Sequence, residues 1–340
     1  MNHDLAVPDP GGLLRAALLR MGLIDPDEDP VLRPLTGGVS STILRVDTRR
    51  AVFCIKQALP ELKVVSHWSA PLERNHAEVA WIQQARQVLP DAVPAILGED
   101  PTSHSFAMEW LDPDTHPVWK AQLRDGQVEL NFAAQVGQRL ALLHAASTDQ
   151  AMLAKRFAYD QNFFALRLDP YFGAAALAHP DCAPMLLDLI DQTAAHKNAL
   201  VHGDISPKNI LAGPHGPVFL DAECAWYGDP AFDAAFCLCH LLAKCLWRPA
   251  WRDAYLASFD AFAEAYLAGV NWEPRAAIEA RIARLLAAIL LARVDGKSPL
   301  EYLLTEQDKQ RQRQFARRFV LRPAQQLALL RAEWNKECQP

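Results

Sequence analysis

Three oxygen-bearing side chains stand close together near the middle of this chain: Asp204, Asn209 and Asp221. Asp204 and Asn209 belong to Leu200-Val-His-Gly-Asp-Ile-Ser-Pro-Lys-Asn-Ile-Leu211, and Asp221 follows in Val218-Phe-Leu-Asp-Ala-Glu-Cys224. In each segment an apolar run reads as a short buried strand with polar groups at its edge. One carboxylate able to take a hydroxyl proton, beside an amide oxygen and a second carboxylate able to hold a divalent cation, is the equipment of phosphoryl transfer. The same residue types also serve an ordinary polar loop with turn and capping positions, and one motif alone does not separate the two.

Such groups need a phosphate-binding frame, and the first third of the chain offers its parts. Pro34–Val46 reads as strand, glycine turn, strand. Gly37 and Gly38 permit positive φ and let backbone N–H groups approach phosphate oxygens, while Ser40, Ser41 and Thr42 add hydroxyl donors. A plain glycine hairpin accounts for the same residues. Ala51–Lys56 is an apolar β run ending in a cation that can reach nucleotide phosphates or lie at the surface. Arg74–Ala85 reads as a helix, with Glu78 one turn from Trp81 and Ile82 on the side approaching the core. Glu78 can pair with Lys56 and aim it; Glu73 competes for that role, and helical spacing does not choose between them.

In chain order the parts are a glycine turn, a strand lysine, a helix glutamate, Asp-x-x-x-x-Asn and a strand-end Asp. The chain resembles the aminoglycoside phosphotransferase and choline kinase family, with further similarity to methylthioribose kinase relatives. That resemblance implies an α+β, bilobal, protein-kinase-like fold with a small sheet-rich first lobe and a larger helical second lobe. It implies ATP and Mg²⁺ as cofactors and a small-molecule hydroxyl as phosphate acceptor. Asp204 then corresponds to the catalytic base, Asn209 and Asp221 to the metal ligands, and Gly37, Gly38, Ser40, Ser41, Lys56 and Glu78 to the nucleotide site. Phe106–Leu111 takes the place of the hinge that meets adenine, which brings in Glu109 and Leu111. His202 and Asp233 fall where the family supports its catalytic loop. Arg167, Tyr171, Glu223 and Arg293 are candidates for the acceptor site, although Arg293 before Gly296 and Pro299 also reads as an ordinary helix end. Two departures stand out. The turn is not Gly-x-Gly-x-x-Gly, and Ser206 occupies the position where protein kinases carry a lysine.

The elements that must hold these residues follow from the rest of the chain. Its 340 residues exceed one usual core, and the expected division is a helical extension over 1–26, a nucleotide-binding lobe over 27–111 and a catalytic lobe over 112–340. Helical periodicity runs through Leu130–His144, Ala183–His196, Ala231–Leu246, Trp251–Ala268, Arg275–Val294 and Lys309–Trp334. A net charge of −6 argues against nucleic acid and anionic membranes as partners. Seven cysteines without framework spacing point to a reducing cytoplasm. Cys237 and Cys239 are two apart on a helix and face different ways, which favours core packing over a metal site. Arginines in the last helices weaken an aminoglycoside as acceptor, since such polycations call for acids; a sugar-like or amino-alcohol metabolite is the expected substrate class. An aminoglycoside phosphotransferase is one alternative. The other is a nucleotide-binding pseudokinase scaffold, against which all four catalytic groups are present.

Overall fold

The computed structural model describes residues 10–35, 41–59 and 71–339. Short runs within 31–109 that hold β-branched and aromatic residues form five antiparallel strands: β1 (Val31–Pro34), β2 (Ser41–Asp47), β3 (Val52–Ala58), β4 (Ile96–Asp100) and β5 (Ser105–Glu109). Their spatial order is β1-β2-β3-β5-β4. Lys56 is paired with Ile43 on one side and Phe106 on the other, so it rises from the central strand of the sheet. Helix α1 (Pro10–Arg20) packs Leu14, Ala17 and Leu18 against Val46, Phe53 and Ile55 in a small separate core. Its last residue, Arg20, holds Asp100 through two hydrogen bonds of 3.0 and 2.6 Å. Helix α2 (Arg74–Val88) contributes Trp81 and Ile82 to the large core instead.

Helices dominate from Trp119 onward. They are α3 (Trp119–Arg124), α4 (Leu130–Ala145), α5 (Ala151–Arg156), α6 (Asp160–Phe163), α7 (Ala174–Ala178), α8 (Ala183–Ala195), α9 (Ala231–Trp247), α10 (Arg252–Gly269), α11 (Arg275–Asp295), α12 (Glu306–Leu321) and α13 (Leu327–Glu337). Two short hairpin-like pairs sit among them: β6 (Ala199–Val201) with β9 (Trp226–Gly228), and β7 (Ile210–Gly213) with β8 (Gly216–Phe219). Helix α9 is apolar on every face and its residues from Ala231 to Leu246 are all buried, as expected of a helix at the centre of a core. All seven cysteines are buried and free, Cys237 and Cys239 among them, and no cluster of three His, Cys, Asp or Glu among the described residues is arranged to hold a metal. No described helix is long and apolar enough to cross a membrane.

Two elements depart from the periodicity. Lys309–Trp334 is not one helix but two, α12 and α13, separated at Arg322 and Pro323. Proline lacks the N–H that continues a helix and drives the preceding residue out of the α region; Arg322 accordingly has φ −135° and ψ 80°. The segment Phe164–Gly173, which contains Pro170, is a π-helix, a wide turn that the hydrophobic pattern does not distinguish from irregular chain.

Candidate active site

The site is built where the sheet-rich lobe meets the helical lobe. Lys56 Nζ lies 2.9 and 2.7 Å from the two carboxylate oxygens of Glu78, and 2.5 Å from Asp221 Oδ1. Glu78 occupies the buried face of α2, whereas Glu73 precedes that helix and is exposed. Lys56 and Glu78 are almost fully buried and Asp221 is half-buried. Burial opposes charge on all three groups, and mutual attraction decides the outcome. The ammonium is held above its ordinary value by Asp221 and Glu78, and the Asp221 carboxyl is held low by Lys56. Glu78 is where burial prevails, with its carboxyl pushed up to about 7. A second ion pair between the lobes lies beside the first: Arg74, at the start of α2, donates through Nε to Glu223 Oε2 at 3.2 Å. Asp221 itself adopts φ +69°, an uncommon conformation that Asp tolerates better than most residues and that clusters at functional sites.

The loop after β6 carries Asp204, and its shape is imposed from beneath. Asp233, fully buried in the first turn of α9, accepts N–H bonds from His202 at 2.8 Å and Gly203 at 2.7 Å. His144 Nε2 reaches the same carboxylate at 3.2 Å. Gly203 has φ +81°, and a Cβ there would stand 2.7 Å from Cys224, so no other residue fits. His202 accepts the Asp204 N–H at Nδ1 and donates from Nε2 to the Leu220 carbonyl. Its burial lowers its pKa, consistent with that neutral tautomer. Trp81 of α2 meets the imidazole edge-on at 4.7 Å, so the loop is also packed against the first lobe. Asn209 Nδ2 donates to the Asp204 carbonyl at 3.1 Å, which leaves Oδ1 as that amide's free acceptor. The Asp204 carboxylate lies 3.1 Å from Arg167 and 3.3 Å from Lys208.

A cleft of about 520 Å³ runs between the lobes. Its polar end contains Lys56, Glu78, Asn209 and Asp221; its other end is apolar, with Leu35, Ile43, Met108, Leu111, Leu211 and Leu220. Ser41, Glu109 and Leu111 line it too. Gly37, Gly38 and Ser40 lie outside the described residues. The cleft thus brings a lysine and two oxygen-bearing side chains together with apolar walls: oxygen donors suit a hard divalent cation, and a lysine can offset phosphate charge.

The remaining candidates divide. Glu223 is bound to Arg74 and its carbonyl to Asn162. Arg167 is turned inward, donating to the Gly203 carbonyl at 2.5 Å as well as pairing with Asp204. Tyr171 is buried, and its hydroxyl accepts from Arg293 at 3.2 Å. Arg293 also donates to the carbonyl and hydroxyl of Ser298. Gly296 does close α11, with its N–H on the Ala292 carbonyl, so the capping reading and the inward-facing arginine hold together. The arginines of α12 are engaged elsewhere: Arg313 with Asp295 and Arg317 with Asp181.

Apart from Arg293, sequence reasoning missed a second group of residues. A small cavity of about 20 Å³ opens next to Lys208 and is lined by Lys120, His240, Lys244, Arg293, Glu301 and Tyr302. Lys244 is fully buried, and its ammonium has no hydrogen-bonding partner among the described residues. Burial, and then the charge of Lys120, push it down to about 7. Its compensation is aromatic, with Tyr302 at 4.7 Å and Trp247 at 5.5 Å. Cation–π contact is worth about 2 kcal/mol when desolvated, against several kcal/mol for burying an ion. The signal was in the sequence: Lys244 is the only lysine or arginine between Ala231 and Trp247, a stretch otherwise almost wholly apolar.

Comparison with known proteins agrees with this geometry. Residues 31–278 match the model of the phosphotransferase enzyme family. The chain is 26% identical over 214 residues to a methylthioribose kinase of Yersinia pseudotuberculosis, a match covering 55% of this chain and 52% of that protein. It thus spans about half the length of the curated relatives it matches. A choline/ethanolamine kinase family protein from Mesorhizobium loti superposes with a TM-score of 0.55 at 15% identity, covering 96% of this chain and 93% of the other. An amicoumacin kinase, solved with AMP-PNP, Ca²⁺ and Ami, gives 0.57 at 12% identity over 94% and 95%. The likeness extends over nearly the whole chain, and the α+β fold is protein-kinase-like.

Proposed function

The chain belongs to the phosphotransferase enzyme family, and from that premise we propose that it transfers the γ-phosphoryl group of ATP to a hydroxyl of a small, sugar-like or amino-alcohol metabolite. The observation that carries this reading is the convergence of Lys56, Asn209 and Asp221 on one cleft from both lobes, with Asp204 held next to it through Asn209 and Lys208. Asp204 takes the hydroxyl proton as the acceptor oxygen bonds to the γ-phosphorus and the bond to the leaving ADP oxygen breaks. Lys56, aimed by Glu78, contacts the nucleotide phosphates. Asn209 and Asp221 hold Mg²⁺, which neutralises phosphate charge when bound. Arg167 and Lys208 fix the direction of the Asp204 carboxylate, and Asp233 fixes the loop beneath it. The apolar slot beside Glu109 and Leu111 receives the base.

The test is a screen of small hydroxylated metabolites for acceptor-dependent ATP consumption, with Asp204→Asn beside the parent. Loss of the general base lowers turnover by roughly 10²-fold or more while nucleotide affinity stays the same. An Asp204→Asn enzyme as active as the parent removes Asp204 from the mechanism.

A further inference from the structure

The small cavity beside the catalytic loop holds more positive charge than the protein balances. Lys120 and Lys208 line both it and the nucleotide cleft, so the two spaces adjoin. Lys120 is ion-paired with Glu301, and Lys208 with Asp204. Lys244 and Arg293, both buried, have no carboxylate partner among the described residues. Donors are also in excess. Lys244 Nζ and Arg293 Nε lack hydrogen-bond acceptors, and so does His240 Nε2, whose other nitrogen faces Tyr302 Oη at 3.2 Å. Arg293 is held in place by Tyr171 and Ser298 through its terminal nitrogen, and its Nε stays without an acceptor.

We propose that this cavity receives a carboxylate of the acceptor, so that the molecule phosphorylated is a hydroxy acid. The inference rests on the phosphoryl-transfer reading above and names its substrate class. Buried cations are stable when paired and hydrogen-bonded, and a carboxylate offers two oxygens to donors that now have none. The ammonium of an amino alcohol would be repelled by Lys120, Lys208 and Arg293, and the one lining carboxylate, Glu301, is already engaged by Lys120. A neutral polyol would leave the charge of Arg293 unbalanced and would offer nothing to hold a proton on Lys244. At about 20 Å³ the space is little larger than a water site, for which roughly 10–15 Å³ suffices, and it suits a flat carboxylate better than a phosphate with three outer oxygens. Lys244 is then a specificity-determining residue, placed one cavity away from the reacting hydroxyl.

Matched pairs test this directly. Glycerate with glycerol, threonate with threitol and gluconate with glucitol each differ at the carboxylate carbon. Each compound, along with choline and glycerol 3-phosphate, is titrated calorimetrically into ATP-loaded protein and assayed for ATP consumption. The variants are Lys244→Met, Lys244→Arg and Asp204→Asn. At least one acid should bind about tenfold or more tightly than its polyol, a difference of one charge-assisted contact. Lys244→Met, checked for folding by thermal melting, should lose that preference; Lys244→Arg should restore part of it; Asp204→Asn should keep it. The proposal is overturned if no acid outbinds its polyol, if choline or glycerol 3-phosphate binds best, or if Lys244→Met binds acids as the parent does. The kinase reading fails separately: acids that bind through Lys244 without ATP turnover leave the cavity standing and remove phosphoryl transfer. Turnover of a polyol that is indifferent to Lys244→Met does the reverse.

Discussion

Two sets of buried charges lie at adjoining spaces that share Lys120 and Lys208, and they are handled in opposite ways. In the nucleotide cleft, Lys56 is surrounded by two carboxylates at 2.5–2.9 Å. Beside the small cavity, Lys244 lies against two aromatic rings and has no carboxylate within ion-pairing distance among the described residues, since Glu301 is engaged by Lys120. The first arrangement balances its own charge and joins the lobes. The second is left positive, at a cost that aromatic contacts only partly offset. A protein tolerates such a cost where function requires it, and the difference therefore separates a site whose polarity is set internally from one completed by a ligand.

The comparison can be broken at its strongest point by Lys56→Met. This removes the cation from between Glu78 and Asp221, and breaking a buried pair costs about 3–5 kcal/mol. Chemical denaturation should show a loss of that order together with loss of ATP binding; a variant as stable as the parent would mean that the triad contributes nothing to the fold. Asp233→Ala comes next. It strips the acceptor from the His202 and Gly203 N–H groups, and unsatisfied buried donors cost about 1–3 kcal/mol. Stability and turnover per folded molecule should both fall. Loss of stability alone, with turnover intact, would make Asp233 a helix cap without a role in holding the loop.

The third effect is the most selective. Lys244 sits near 7 in the folded protein, well below its ordinary value of 10.5. Between those values the unfolded chain holds a proton that the folded protein has released, so this group makes stability rise with pH. The slope is at most about 1.4 kcal/mol per pH unit. Lys244→Met should therefore be more stable than the parent at pH 7, with the gap narrowing towards pH 10. Lys120, Glu301, Cys237, Cys239, His240, Arg293 and Tyr302 surround the ammonium and are the same in both proteins, so the difference between the two melting curves isolates Lys244. Parallel curves would show that Lys244 is not depressed.

Much of this was legible in the sequence because the chemistry is local there. Asp204, Asn209 and Asp221 lie within one short stretch, and the apolar run leading to Lys56 already marked a strand. The choice between Glu73 and Glu78 was not legible, because it depends on how α2 is rotated against the sheet. The break at Pro323 was hidden by apolar periodicity that runs through it, although proline chemistry marks the position. The eye-catching arginines of α12 are engaged by Asp295 and Asp181, while the cations of the cavity come from α3, α9 and α11, far apart in sequence. Only tertiary packing brings Lys120, Lys244 and Arg293 together.

The central claim is phosphoryl transfer to an acceptor hydroxyl with Asp204 as base, and phosphorus-31 magnetic resonance of the reaction mixture tests it most directly. With ATP, magnesium and an acceptor from the screen, the parent should convert the γ-phosphorus signal into a phosphate monoester, at a rate that drops roughly 10²-fold or more in Asp204→Asn. Release of inorganic phosphate alone, or an Asp204→Asn variant forming the monoester at the parent's rate, would contradict it.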